Sequence, residues 1–161
     1  MKILHVDASA KRERSNSRAL ARYFLERLRE ERVEFDVDYL DVTVDTPPHV
    51  SEAFAIATYT AAQERTPAMK ATLASSDALC ARLLAADALV FAMPMYNWSM
   101  PSAFKAFIDS VTRTGVTYLG VRPRSGQIAI ISFMVMKSEK PIRLRNKVLT
   151  PWTPACRRRR W

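Results

Sequence analysis

Three short runs of this chain are apolar almost without interruption: ILHVD at 3–7, ALVFAM at 88–93 and QIAIISF at 127–133. A strand of that composition belongs in a sheet covered on both faces, so helices have to supply the covers. The intervening segments carry helical spacing. Leu20, Tyr23, Phe24 and Leu28 recur at that spacing across 17–31, with Ser15 or Ser17 available as N-cap. Residues 51–72 read as irregular helix with few large apolar side chains, and Ser75 or Ser76 then caps a stripe of Leu79, Cys80, Leu83 and Leu84. Pro101 suits the first turn of a further helix with Phe104, Phe107, Ile108 and Val111 on one face. EFDVDYLDV at 34–42 alternates instead, placing Phe35, Val37 and Tyr39 opposite Asp36 and Asp38, which predicts an edge strand with one wet face. Strands alternating with helices predict an α/β protein with a parallel sheet.

With 161 residues, 48% of them hydrophobic, the chain has enough material for one domain with a real core. No apolar run approaches the roughly 18 residues of a membrane span, and the opening MKILHVDASAKRER lacks the pattern of a secretory signal. Cys80 and Cys156 have no paired spacing, and neither His5 nor His49 has a ligand partner at metal spacing. A cytoplasmic protein without a metal or a membrane partner is expected. The net charge of +9 is a local matter. Residues 134–161 hold nine Lys and Arg against one acid, Glu139, which leaves 16 basic and 15 acidic residues before them. The arginine run at 157–160 has one flanking aromatic, Trp161, and follows no recognisable reader fold, so a nucleic-acid partner is not expected. Asp36, Asp38 and Asp41 read as a solvated face.

In open α/β sheets ligands bind beyond the carboxyl ends of the strands, and two loops there have unusual composition. ASAKRERSNS brings Ser9, Ser15, Asn16 and Ser17 to the start of a helix, where free amides and hydroxyls suit a phosphate. One serine could equally cap the helix while the others are solvated. The chain's glycines, Gly115, Gly120 and Gly126, form neither a dinucleotide fingerprint nor a P-loop. In the second loop, PMYNWSMP at 94–101, Met95, Tyr96, Asn97 and Trp98 offer aromatic, thioether and amide groups to a planar heterocycle. Covering the sheet end as core is the other role open to Tyr96 and Trp98. A phosphate loop beside a flat-ring loop describes a mononucleotide.

The serine loop, PPHV at 47–50 and the long run LLAADALVFAMPMYNWSMPSAFKAFIDSVTRTGVTY at 83–118 make the chain resemble the FMN-dependent NADH azoreductases, which are also NADH:quinone oxidoreductases. The resemblance covers about residues 1–133. It implies a flavodoxin-like three-layer sandwich over 1–133, with FMN phosphate held by Ser9, Ser15, Asn16 and Ser17. It further implies that Met95, Tyr96, Asn97 and Trp98 wrap the isoalloxazine and ribityl parts, with Trp98 in place of the family's phenylalanine. NADH as donor, a quinone or azo acceptor, ping-pong hydride transfer and a homodimer follow from the same likeness, with the flavin rather than a side chain as the catalytic group. Where the family continues with a glycine loop, a last strand and a final helix, 134–161 is a basic, atypical tail. A frameshifted or aberrantly terminated end is therefore expected, with a domain incomplete by its last strand and helix. A truncated, non-catalytic fragment with weak or no FMN binding is the competing expectation.

Overall fold

The computed structural model describes residues 1–117 and the backbone of 131–132. The expected basic tail at 134–161 and most of the strand expected at 127–133 lie outside the described residues. The elements are β1 (Lys2–Asp7), α1 (Asn16–Glu30), β2 (Asp36–Asp41), α2 (Glu52–Tyr59), α3 (Pro67–Leu84), β3 (Ala88–Ala92), α4 (Ser102–Val111) and β4 (Ile131–Ser132), with a single 3-10 turn at Ala62–Glu64. The strand order is β2-β1-β3-β4, and every neighbouring pair is parallel. This is the order of a flavodoxin-like doubly wound sheet, in which the winding reverses between β1 and β3.

β1 is buried from Ile3 to Asp7 and alternates between two cores. Ile3 packs with Val90 and Ala92 beneath Ala21 and Leu25 of α1, while Phe35 and Val37 close the margin. Leu4 and Val6 face the other way, against Leu89, Phe91, Cys80, Phe104, Phe107 and Val111. Helix α1 thus covers one face and α3 with α4 the other, giving three layers. Phe107 is fully buried and meets Phe91 at 6.2 Å and Phe104 at 5.9 Å between ring centroids. Each such side chain contributes about 1.5–3 kcal/mol by leaving water.

Three local expectations need correction. Helix α3 starts at Pro67 behind a Thr66 cap and runs through Ser75 and Ser76 rather than beginning there. Its buried face in that stretch is Leu73 and Ser76, and small residues hide a helix from a reading that counts large apolar ones. Leu84 is half-exposed at its end. Helix α1 turns inward a face rotated from the expected one: Ser17, Arg18, Ala21 and Leu25 are buried and Phe24 and Leu28 pack part-buried against the core as expected, whereas Tyr23 is 47% exposed. On β2, which is an edge strand as expected, Asp36 is exposed as expected but Asp38 and Asp41 are not simply solvated. Asp38 receives both Nη2 (2.6 Å) and Nε (3.3 Å) of Arg82 on α3, and Asp41 is paired with Arg18.

Candidate functional site

The reversal of winding leaves a corner beyond the carboxyl ends of β1 and β3, and the loops that leave those strands are the two singled out above. The first runs from Ala8 into α1. Ser15 is the N-cap, in extended backbone, and its Oγ accepts from Arg18 N at 3.4 Å and lies 3.2 Å from Ser17 Oγ. The Asn16 and Ser17 amides at the helix start have no partner among the described residues. Ser9, Ser15 and Ser17 are buried and Asn16 is exposed. Lys11, Arg12 and Arg14 stand exposed around the loop with only Glu13 against them, an arrangement that favours an anion.

Beneath this loop lies a polar cluster that local sequence patterns did not announce. Arg18 is 5% exposed. Its Nη1 meets Asp7 Oδ2 and Asp41 Oδ2, each at 2.8 Å, and the Tyr39 hydroxyl at 3.1 Å. Its Nη2 donates to the Ser9 carbonyl at 2.7 Å and to Thr43 Oγ1 at 3.4 Å, and its buried Nε has no partner among the described residues. Tyr39 donates to Asp7 Oδ2 at 2.9 Å, and His5 Nε2 lies 3.1 Å from Asp7 Oδ1. Burial pushes the Asp7 carboxyl up, but the hydrogen bonds from His5 and Tyr39 and the Arg18 charge outweigh it and hold it below the usual range. Asp41 is likewise pushed up by burial and brought lower by Arg18 and Thr43. The Tyr39 phenol is pushed up to about 12 by burial and by its bond to Asp7. One signal for the cluster was available. Arg18 occupies the third position of its helix, where a cation opposes the helix dipole unless an anion answers it.

The second loop is a two-residue hairpin. Tyr96 and Ser99 exchange both backbone hydrogen bonds at 2.9 Å, and Asn97 (φ 48°) and Trp98 (φ 63°) both take positive φ, the signs of a type I′ turn. Asn is common at such a position, whereas a bulky aromatic there is an outlier whose strain the surroundings must hold. Trp98 is 89% exposed, Tyr96 38%, and Met95 is half-buried. It follows that Trp98 does not cover the sheet end as core.

The two loops touch. The Ala10 N–H donates to the Tyr96 hydroxyl at 3.3 Å, bridging from the serine loop to the hairpin. No hydrogen bond or ring contact joins Asn97 or Trp98 to the serine loop among the described residues. At this corner the hairpin side is exposed, with Tyr96 and Trp98 in solvent, while Ser9, Ser15 and Ser17 are buried. Two concavities lie elsewhere, one between Pro48, Phe54, Thr72 and Ser110, the other by Met1, Arg29 and Phe35. The donor set fits a phosphate monoester at the serine loop: neutral hydroxyls, unpaired helix amides and nearby cations. The hairpin fits the flat face of a heterocycle, with an exposed indole and an exposed amide. Among the described residues no group of His, Cys, Asp and Glu could hold a metal ion, and no helix is long and apolar enough to cross a membrane.

Known proteins resemble the chain in both sequence and shape. Residues 1–135 match the protein family described by its flavodoxin-like fold. An FMN-dependent NADH:quinone oxidoreductase of Nostoc sp. is 40% identical over 116 residues, 72% of this chain and 56% of that protein. One from Bordetella petrii is 39% identical over 118 residues, 73% of this chain and 57% of its own length. An azoreductase structure from Bacillus anthracis superimposes with a TM-score of 0.65 at 27% identity, covering 72% of this chain and 57% of that one. The chain therefore spans a little over half the length of the curated relatives it matches.

Proposed function

Because the chain belongs to the family with the flavodoxin-like fold, we propose that it binds FMN at the β1/β3 corner and acts as an FMN-dependent NADH:quinone oxidoreductase and azoreductase. The observation that carries this reading is the hydrogen bond from Ala10 N to the Tyr96 hydroxyl, which holds a hydroxyl-lined loop and an aromatic hairpin at one sheet end. The names of the relatives from Nostoc and Bordetella supply the cofactor and the reaction.

Ser9, Ser15, Asn16 and Ser17 would hold the phosphate, through hydroxyls and the first amides of α1. Met95, Tyr96, Asn97 and Trp98 would hold the ribityl chain and ring. When bound, FMN would supply the hydride-transfer chemistry that links NADH to a quinone or azo compound in ping-pong order. The protein's own part is binding and orientation. The serine loop fixes the anionic end of the cofactor. The Asn97 and Trp98 amides, on a turn that positive φ keeps open, can donate to a ring edge that gains negative charge. Trp98, exposed on the turn, would wall the ring and shield it from water. No side chain is assigned as nucleophile or general base. We place the protein in the cytoplasm, as a homodimer acting on small quinones or azo compounds.

Fluorescence quenching on addition of FMN to the purified chain, followed by NADH oxidation with a quinone, tests the reading. Saturable quenching with turnover is the expected result. Quenching without turnover supports a flavin-binding, non-catalytic fragment, and soluble protein with no quenching removes the flavin reading altogether. Light scattering reads the oligomeric state.

A further inference from the structure

Arg18 is the most connected buried side chain at the corner, and its contacts have a direction. Asp7 ends β1 and Asp41 ends β2, so the guanidinium clamps two neighbouring strand ends while its other nitrogen holds the Ser9 carbonyl. Two carboxylates face one guanidinium, which leaves Arg18 no spare positive charge to offer an anion. What remains is geometry. A planar fork reaches both carboxylates and the carbonyl at once, and a lysine ammonium in the same place cannot.

We infer that Arg18 is the positioning residue of the serine loop: its fork, not its charge, sets the loop that discriminates a phosphorylated flavin from an unphosphorylated one. The inference rests on the reading of this corner as an FMN site. Arg18 acts on the phosphate through Ser9 and the loop that follows, so its loss should be felt chiefly by the phosphate, and by the ring only through the single Ala10–Tyr96 bond. The ring's own support, the Tyr96–Ser99 hairpin, makes none of the Arg18 contacts.

The test compares Arg18→Lys, Arg18→Gln and Tyr39→Phe with the unaltered chain, titrating FMN and riboflavin separately by fluorescence quenching. If the fork matters, Lys and Gln lose FMN affinity alike, about 10–100-fold, the range usual for groups standing behind a binding shell. Riboflavin affinity falls far less, because it lacks the phosphate and feels the loop only through the Ala10–Tyr96 bond. Tyr39→Phe removes one hydroxyl from the cluster on a half-exposed edge residue, keeps the fold, and shifts FMN in the same direction by a few-fold at most. Arg18→Lys with unaltered FMN affinity overturns the inference, as does an equal loss of FMN and riboflavin. Amide hydrogen exchange on the flavin-free chain gives a second readout. Residues 9–15 should exchange faster in Arg18→Lys while 104–111 stay protected, and unchanged exchange at 9–15 overturns the inference. If the unaltered chain binds neither flavin, the FMN reading falls, and the exchange result alone decides the role of Arg18.

Discussion

The two loops at the corner reach the same sheet end and are held there by opposite means. The serine loop is fixed from below by a largely buried network of charged and polar side chains that links Arg18 to Asp7, Asp41, Tyr39 and Thr43. The Tyr96–Ser99 hairpin is fixed by two backbone hydrogen bonds and leaves its aromatic side chain in solvent. A buried network gives a position that water cannot loosen, but each member depends on all the others. A strained turn gives exposure, and its stability is drawn from the scaffold around it.

That difference can be broken in a graded series. The largest effect is expected from Asp7→Ala, which strips the cluster of a carboxylate and should cost about 3 kcal/mol or more in urea unfolding. Acid should reach the same network. Asp7 and Asp41 both lie below the ordinary value of 3.8 in the folded chain. The stability they contribute is therefore complete above that value and is lost as pH falls through their lower folded values. Circular dichroism should show this acid limb weakened in Asp7→Ala and untouched by hairpin substitutions. On the alkaline side, Tyr39 keeps its contribution below pH 10.0 and loses it as pH rises towards about 12. Trp98→Gly should act in the opposite direction to the cluster variants. Glycine accepts positive φ freely, so thermal unfolding should show a gain of about 1 kcal/mol while flavin affinity falls. The smallest effect is expected from Tyr96→Phe, which removes the acceptor for Ala10 N at an exposed site and should cost about 0.5–1 kcal/mol. Combined with Arg18→Lys it should be non-additive in FMN binding, since both act on one loop.

The same contrast explains what the sequence could disclose. Strands β1 and β3 and helix α4 were legible because continuous apolar runs and a regular Phe104–Phe107–Val111 stripe depend on near neighbours only. The serines and the aromatic loop were legible as residue types in the wrong place for an ordinary turn. Arg18 was not, because its partners are 9 to 25 residues away and come together only when β1 and β2 pair. The acidic edge was misjudged for that reason, since an alternating aspartate looks solvated until Arg82 arrives from 44 residues on. Helix α3 was shortened because its first turns bury only Leu73 and Ser76, too few large apolar side chains to set a visible period. The turn at Asn97 and Trp98 escaped because no pattern of side chains foretells an indole at positive φ.

The Tyr96 hydroxyl that takes the Ala10 amide has one more implication. A strut between two loops makes the ordering of each a condition on the other. Any ligand that stills the serine loop lowers the entropic cost of stilling the hairpin, and reciprocity requires the converse by the same amount. Two fragments of one molecule, a phosphate at one loop and a bare ring at the other, would help each other to bind even with no covalent bond between them.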